Sequence, residues 1–328
     1  MRQLFLTLVL MMFSCQGVAA SDPGVNEIWL DGVPVESLQL ALKNARHNSV
    51  VMLGAGDYEQ AAVVTKNNIT IEGLNGARIH TKTAQGKAAI VVKGNDTIIK
   101  NIECYNINVK HKNGACVRME GRNLTLDRVY FHDSQQGLLT NGKPGDIYIL
   151  NSRFERLGKS GRAHGIYVGG GRLFIKGSHF LSSKDQGHEI KSRARETRIE
   201  NSTIASLDGN DSRLIDIPNG GVLVITDSVL EQGPKSLNWN LIGFGHEKYK
   251  YPENSITLTG NIFLLEREKG NKVLDVKNSK ASLNVTQNAF VGRMGKDDFD
   301  DSNFYFDDRK SAGLAAYPEL PEISKNDK

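Results

Sequence analysis

Residues 172–205 read RLFIKGSHFLSSKDQGHEIKSRARETRIENSTIA. In this stretch Leu173 and Ile175 alternate with other residues, Gly177 supplies a turn, and Phe180 follows five positions after Ile175. Thr197, Ile199, Asn201 and Ile204 repeat the figure. Alternation of period two marks a strand, and Gly and Asn tolerate the left-handed backbone that a sharp turn needs. The figure extends in both directions. It recurs at Ile69/Ile71, Thr97/Ile99/Cys104, Leu124/Leu126/Phe131 and Ile147/Ile149/Phe154, then at Leu223/Ile225/Leu230, Ile256/Leu258/Phe263 and Leu283/Val285/Phe290. From Ile71 to Val285 the middle positions step by 28, 27, 23, 26, 24, 26, 33 and 27 residues, a repeat period.

A second short strand lies inside each repeat: Ile90-Val92, Val117-Met119, Leu138-Thr140, Ile166-Val168, Ile190-Ser192, Ile215-Ile217, Ile242-Phe244 and Leu274-Val276. Strands this short bury nothing alone, whereas stacked coils share one core and leave edges only at the two ends. No helical periodicity intervenes, which argues against a βα solenoid, and propeller blades would need four longer strands. The expectation is an all-β, single-domain, right-handed parallel β-helix of about nine to ten coils. Residues 36–46, carrying Leu38, Leu40, Ala41, Leu42 and Ala45, read as a short amphipathic helix capping the first coil.

The ends read differently. Arg2, the apolar stretch Leu4 to Phe13 and the exit Val18-Ala19-Ala20 form a secretory signal over residues 1–20. A periplasmic or secreted location is expected, and lipidation at Cys15 is disfavoured because Met12-Phe13-Ser14 fit such a site poorly. Residues 21–295 are then the β-helix, and the acidic Pro/Glu/Lys stretch 296–328 reads as a C-terminal cap with a polar, partly disordered tail. No later stretch is long and apolar enough to span a bilayer. The net charge of +4 is small and dispersed, which excludes a nucleic-acid-wrapping protein. Cys104 and Cys116 read as two small buried side chains rather than as a disulfide framework. Six N-x-S/T triplets, at Asn68, Asn95, Asn123, Asn201, Asn210 and Asn284, follow from turn and strand preferences rather than from glycosylation.

The register turns the repeat into a map of a surface, because neighbouring coils lie about 4.8 Å apart. On the second strand the outward column runs Val91, Arg118, Leu139, Tyr167, Lys191, Asp216, Gly243, Asp275. Its centre places a phenol, an amine and a carboxylate on three adjacent coils. His164, His188, Glu189, Arg193, Arg195, Asn219 and His246 flank it. A bland alternative is an ion pair of Lys191 with Asp216 on a solvated face. Taken together, the cluster reads as a cationic groove for a long acidic polymer.

The coil pattern, the helical cap and the exported context resemble the pectate-lyase-like superfamily over roughly residues 28–292. Within it, Glu189-Ile190-Lys191-Ser192 followed by Glu200-Asn201-Ser202-Thr203-Ile204 is similar to the E-I-x-x-K-S…N-x-T-F stretch of polysaccharide lyase family 6, the alginate-lyase and chondroitinase-B type. That resemblance implies that Lys191 is the base removing the proton beside a uronate carboxylate. It also implies an assisting arginine, and calcium held by acids such as Glu189 and Asp216. The chain departs from the family where Ile217-Pro218-Asn219-Gly220 replaces an R-H-G motif, leaving Arg193, Arg195 or Arg213 to substitute. Arg162-Ala163-His164-Gly165 echoes the G-H-G of polygalacturonases, without their paired aspartates.

Lys191, Tyr167, His164 and Arg193 are therefore the catalytic candidates, with Tyr167 or His164 as proton donor. Arg118, His188, Arg195, Asp216, Asn219 and His246 are the substrate-binding candidates. The expected chemistry is lyase or C5-epimerase action on a uronate-containing polysaccharide by a monomer. Two alternatives stand: a glycoside hydrolase using Glu189 with Asp216, and a non-catalytic β-helix that binds or guides a polysaccharide.

Overall fold

The computed structural model describes residues 22–294 and 299–322. The chain winds through three parallel sheets of 12, 11 and 9 strands, making a solenoid of about nine turns with one short α-helix among the described residues. In the coil containing Lys191, the second-sheet strand His179–Leu181 leads to the third-sheet strand Ile190–Ser192, and the chain then enters the first-sheet strand Glu196–Glu200. Each strand pairs in register with its counterparts one coil before and after, as Phe154, Phe180 and Ile204 do in the second sheet. At the N-terminal edge, Ile28–Leu30 pairs antiparallel with both Val33–Val35 and Val50–Leu53.

The apolar positions of the repeat face inward from all three sheets and form one continuous core. Phe154 stacks on Phe180 and Phe263 on Phe290, with centroids 4.7 and 5.0 Å apart. The corner between first and second sheets is polar but satisfied. Its turn residues Asn151, Gly177, Asn201, Asp227 and Gly260 have φ between 46° and 69°. The next residue then donates its backbone N–H to the matching side chain one coil on: Ser152 to Ser178, Ser178 to Ser202 and Ser202 to Ser228, each at 3.1 Å. The ladder continues from Ser228 to Asn261, Asn288 and Asn303, each step at 3.0 Å. Buried N–H groups on a bent corner are thereby paired without a sheet.

The helix is Leu38–Asn44, shorter than the 36–46 span expected, with Ser37 Oγ accepting from Leu40 N. It buries Leu38, Ala41 and Leu42 in the main core. Cys104 and Cys116 are disulfide-bonded, which corrects the reading of two separate side chains. They occupy inward positions on the second and third sheets of one coil, where their Cα atoms come within 5.8 Å, a normal bridging distance. Within the region 296–328, the strand Phe304–Phe306 extends the second sheet. Phe306, Ala312, Leu314 and Leu320 then pack on Val229, Leu264 and Val291, on the outer side of that sheet. The expected signal segment 1–20 and the positions 296–298 and 323–328 lie outside the described residues.

Candidate functional site

The third sheet places Val91, Arg118, Leu139, Tyr167, Lys191, Asp216, Gly243 and Asp275 in one pairing column. Facing outward does not make every member solvent-exposed. Val91 is fully buried in an outer apolar cluster with Ala88 and Ala115, against which Ala84 and Leu139 pack. The unbroken polar run of the column, Tyr167-Lys191-Asp216, starts after Leu139.

Lys191 Nζ donates to Asp216 Oδ2 at 2.8 Å, and the two side chains are only 14 % and 8 % exposed. Three groups crowd this pair. Arg213 Nη1 lies 3.7 Å from Asp216 Oδ1. His188 Nε2 lies 3.6 Å from Asp216 Oδ2, while its Nδ1–H donates to the Arg213 carbonyl at 3.3 Å. His164 stacks on His188 at 4.8 Å and accepts the His188 backbone N–H on Nδ1 at 3.1 Å. Burial, then the charges of Lys191 and Arg213, push His188 down to about 3. Burial, followed by the neighbouring His188, likewise holds His164 well below its ordinary value. Both imidazoles are therefore neutral at neutral pH, and His164 carries its proton on Nε2.

Arg193 completes the other side. Its Nε donates to Tyr167 Oη at 2.5 Å and its Nη1 to Asn219 Oδ1 at 2.7 Å. A forked pair of 2.6 Å bonds joins it to Glu247, whose Oε1 also lies 3.9 Å from Lys191 Nζ. The Glu247 bond raises the Arg193 guanidinium above its ordinary value, and Arg193 in turn lowers the Glu247 carboxyl. Glu247 belongs to an excursion over residues 245–254 that leaves the third-sheet strand Asn240–Phe244 and reaches back over two coils. The backbone N–H groups of Glu247 and Lys248 both donate to Pro218 O, Lys250 N donates to Asn219 O, and Tyr251 Oη donates to Arg193 O at 2.6 Å. Gly220, at φ +67°, leaves room for it: a Cβ there would lie 2.3 Å from Asn254 Oδ1.

Tyr167, Lys191, Arg193, Asp216, Asn219, His188 and His164 are thus brought together. Four other candidates are not. Arg118 sits beyond Leu139, 3.9 Å from Glu120. Arg195 is exposed to solvent. His246 pairs with Asp275 at 3.1 Å, toward the far end of the column. Glu189 is fully buried at the corner before the strand, where Ser183 N and Ser183 Oγ occupy its two carboxylate oxygens at 2.5 and 2.7 Å. Burial, reinforced by the nearby Asp211, raises its carboxyl well above the usual range. A buried carboxyl committed to Ser183 is neither a groove ligand nor a partner for Asp216.

The calcium set implied by the resemblance therefore does not assemble. Among the described residues no group of three or more His, Cys, Asp or Glu side chains is placed to hold a metal ion. The Asp216 carboxylate is taken up by Lys191, with Arg213 beside it. Glu247 is the contributor that the residue pattern does not announce, although the 33-residue step from Ile225 to Leu258 marks the coil that carries it.

A cavity of about 850 Å³ near the C-terminal end, bounded by Glu266, Arg267, Arg309 and Tyr317, holds none of these residues. The titratable cluster lies on the third sheet, away from that cavity.

No family model and no curated protein matches the chain. Among solved structures it is similar to an alginate lyase from Paenibacillus sp. str. FPU-7, at 16 % identity and a TM-score of 0.52, over 82 % of this chain and 94 % of that one. It also aligns with the tailspike protein gp49 of Acinetobacter baumannii bacteriophage Fri1, a capsular polysaccharide depolymerase, at 13 % identity and a TM-score of 0.47, over 82 % and 51 %. A PL6 alginate lyase in complex with a trisaccharide aligns at 10 % identity and a TM-score of 0.34, over 81 % and 84 %. The shared property is the parallel β-helix fold.

Proposed function

We propose that the protein is an exported enzyme acting on a uronate-containing polysaccharide by removing the proton at C5. One observation carries the reading: a mostly buried lysine, Lys191, lies in a single strand column between Tyr167, which is bonded to the Arg193 guanidinium, and Asp216, which has the Arg213 guanidinium beside it. A C5 proton is acidic enough to remove only if the adjacent carboxylate is neutralised and the enolate-like charge is held, and fixed cations supply that.

In this reading the substrate carboxylate enters against Arg193 or Arg213, Lys191 passes one ammonium proton to Asp216 along their hydrogen bond, and the neutral amine so formed accepts the C5 proton. In elimination the electron pair forms the C4=C5 double bond, the C4–O bond breaks, and the departing oxygen takes a proton. Tyr167 is the better donor of that proton. Its hydroxyl oxygen already accepts from Arg193 Nε, leaving its own O–H available, whereas His164 is buried. In epimerisation the same phenol returns a proton to the opposite face of C5.

The hydrolase alternative loses its second carboxyl, because Glu189 is buried and committed to Ser183. A binding-only role draws support from the Lys191–Asp216 bond, since a lysine so engaged is not free to take a proton.

The test is ultraviolet absorbance of unsaturated uronate ends during incubation with alginate, polygalacturonate, glucuronan and chondroitin, each with and without calcium. A rise that Lys191→Ala abolishes supports elimination. If none of the four polymers gives a rise and C5 does not exchange with deuterated solvent, proton abstraction on these polymers is refuted and the binding role stands.

A further inference from the structure

The Arg193 guanidinium is gripped on one side by the body of the protein and covered on the other by a half-exposed carboxylate. Its Nε and one Nη1 hydrogen are held by Tyr167 and Asn219. Its remaining fork points at Glu247, whose side chain is 50 % exposed whereas that of Arg193 is 21 % exposed. A guanidinium presents a rigid set of donors matched to the two oxygens of a carboxylate. Any carboxylate in this place makes the same two bonds, and here it also lies within 3.9 Å of the Lys191 amine.

We propose that Arg193, Tyr167 and Asn219 form a subsite for the carboxylate of an acidic saccharide, and that Glu247 is its built-in occupant, displaced when the saccharide enters. The proposal rests on the uronate reading above and adds which group receives the carboxylate and what stands there beforehand. The exchange leaves the strap itself in place. Its backbone is tied down at Pro218 O and Asn219 O, Tyr251 Oη is bonded to Arg193 O, and Tyr249 Oη is bonded to Lys277 O. Only the Glu247 side chain has to rotate into solvent. It swaps one forked carboxylate for another, so the net cost is that of a half-exposed ion pair. Glu247 also screens by charge. A neutral sugar gains nothing from displacing it, whereas a uronate replaces the bonds it breaks.

The experiment uses the full-length mature protein, Glu247→Gln, which keeps the shape of the side chain, and Glu247→Ala. Titration calorimetry with purified oligouronates should show binding about two- to fivefold tighter in both variants, the factor expected for removing an exposed ionic competitor. D-glucuronate, but not glucose, should shift the Arg193 Nε–Hε resonance of the variants at lower concentration than in the parent. Weaker or unchanged oligouronate binding in both variants, or an Arg193 signal that ignores glucuronate, overturns the proposal and leaves Glu247 as a structural support for Arg193. Glucuronate binding requires no bond cleavage. Its appearance with no elimination on any polymer would keep the subsite and remove the lyase reading, and the reverse result would do the opposite.

Discussion

Gly243 follows Asp216 in the outward column, and a Cβ added there would lie 1.7 Å from Arg213 Nη1 and 2.9 Å from its Cζ. The absent side chain is what lets the Arg213 guanidinium lie across the sheet beside Asp216. Gly243→Ala should evict it. The strand itself can accept alanine, because Gly243 is not among the positive-φ glycines. The clashing atoms belong to the end of a flexible side chain, so the guanidinium has to move by about 2 Å to regain ordinary contact. Taking the Arg213–Asp216 separation from 3.7 Å to about 6 Å weakens their attraction by about 1.5–2 kcal/mol at an effective dielectric constant near 20. Under the proposed chemistry, the same displacement removes a cation from where charge would develop. The expected loss in kcat/KM on the active polyuronate is therefore roughly tenfold to thirtyfold. Unfolding free energy should stay within about 1 kcal/mol of the parent, since alanine restricts the unfolded chain while the displaced arginine regains solvent. The assay is initial-rate kinetics and urea unfolding on the parent, Gly243→Ala, Arg213→Ala and the double variant. In the Arg213→Ala background Gly243→Ala should have no further effect. Parental activity in Gly243→Ala, or the same loss whether or not Arg213 is present, would refute the role assigned to Arg213.

Three further expectations follow from other parts of the molecule. Replacing Cys104 and Cys116 by serine opens a bridge with a sequence separation of 12 and should lower unfolding free energy by about 3 kcal/mol under non-reducing conditions; equal stability would show that the bridge does not form in solution. Ser178→Ala leaves the Ser152 N–H without an acceptor at a fully buried corner and should cost about 1–3 kcal/mol in chemical denaturation, whereas a negligible change would show that the ladder is incidental. Burial raises Asp211 to about 7, Glu231 to about 8 and Glu189 well above its ordinary value, so above the unfolded carboxyl range the folded chain binds more protons than the unfolded one and stability falls as pH rises. The lowered His188, His164 and His179 act in the opposite sense, but only below their unfolded value of 6.5. Unfolding free energy should therefore drop between about pH 6.5 and about pH 8.5, and Glu231→Gln should flatten the drop; a flat or rising parental profile would contradict it.

What the sequence makes legible here is whatever repeats. Period-two alternation with a left-handed turn residue defines strand, corner and strand at each coil. In-register stacking then carries Tyr167, Lys191 and Asp216 into one column with no further information. What escaped lies where the repeat is broken. Glu189 precedes Ile190 by one residue and would face outward if the strand began earlier, but the chain is still turning there and Ser183 captures its carboxyl. Val91 does face outward, yet the chain around Ala84 covers it, since alternation states a direction and not what lies beyond it. The disulfide depends on a distance across the coil that strand spacing along the axis does not contain. Glu247 meets Arg193 across 54 positions, twice the repeat, by way of an insertion whose path no periodic reading supplies.

Most contacts in this solenoid join a coil only to the one before or after it. The strap is an exception, because Tyr251 is bonded to Arg193 across 58 positions. Growth from the N-terminus therefore finishes the coil bearing Lys191 and exposes its cationic face well before the residues that shield it have been made. Erosion from the C-terminus, the reverse process, would strip the shield while the lysine's own coil still stood. A truncated or half-finished chain would thus present its basic groups bare, and the covered state of Arg193 reports that at least two later coils are in place.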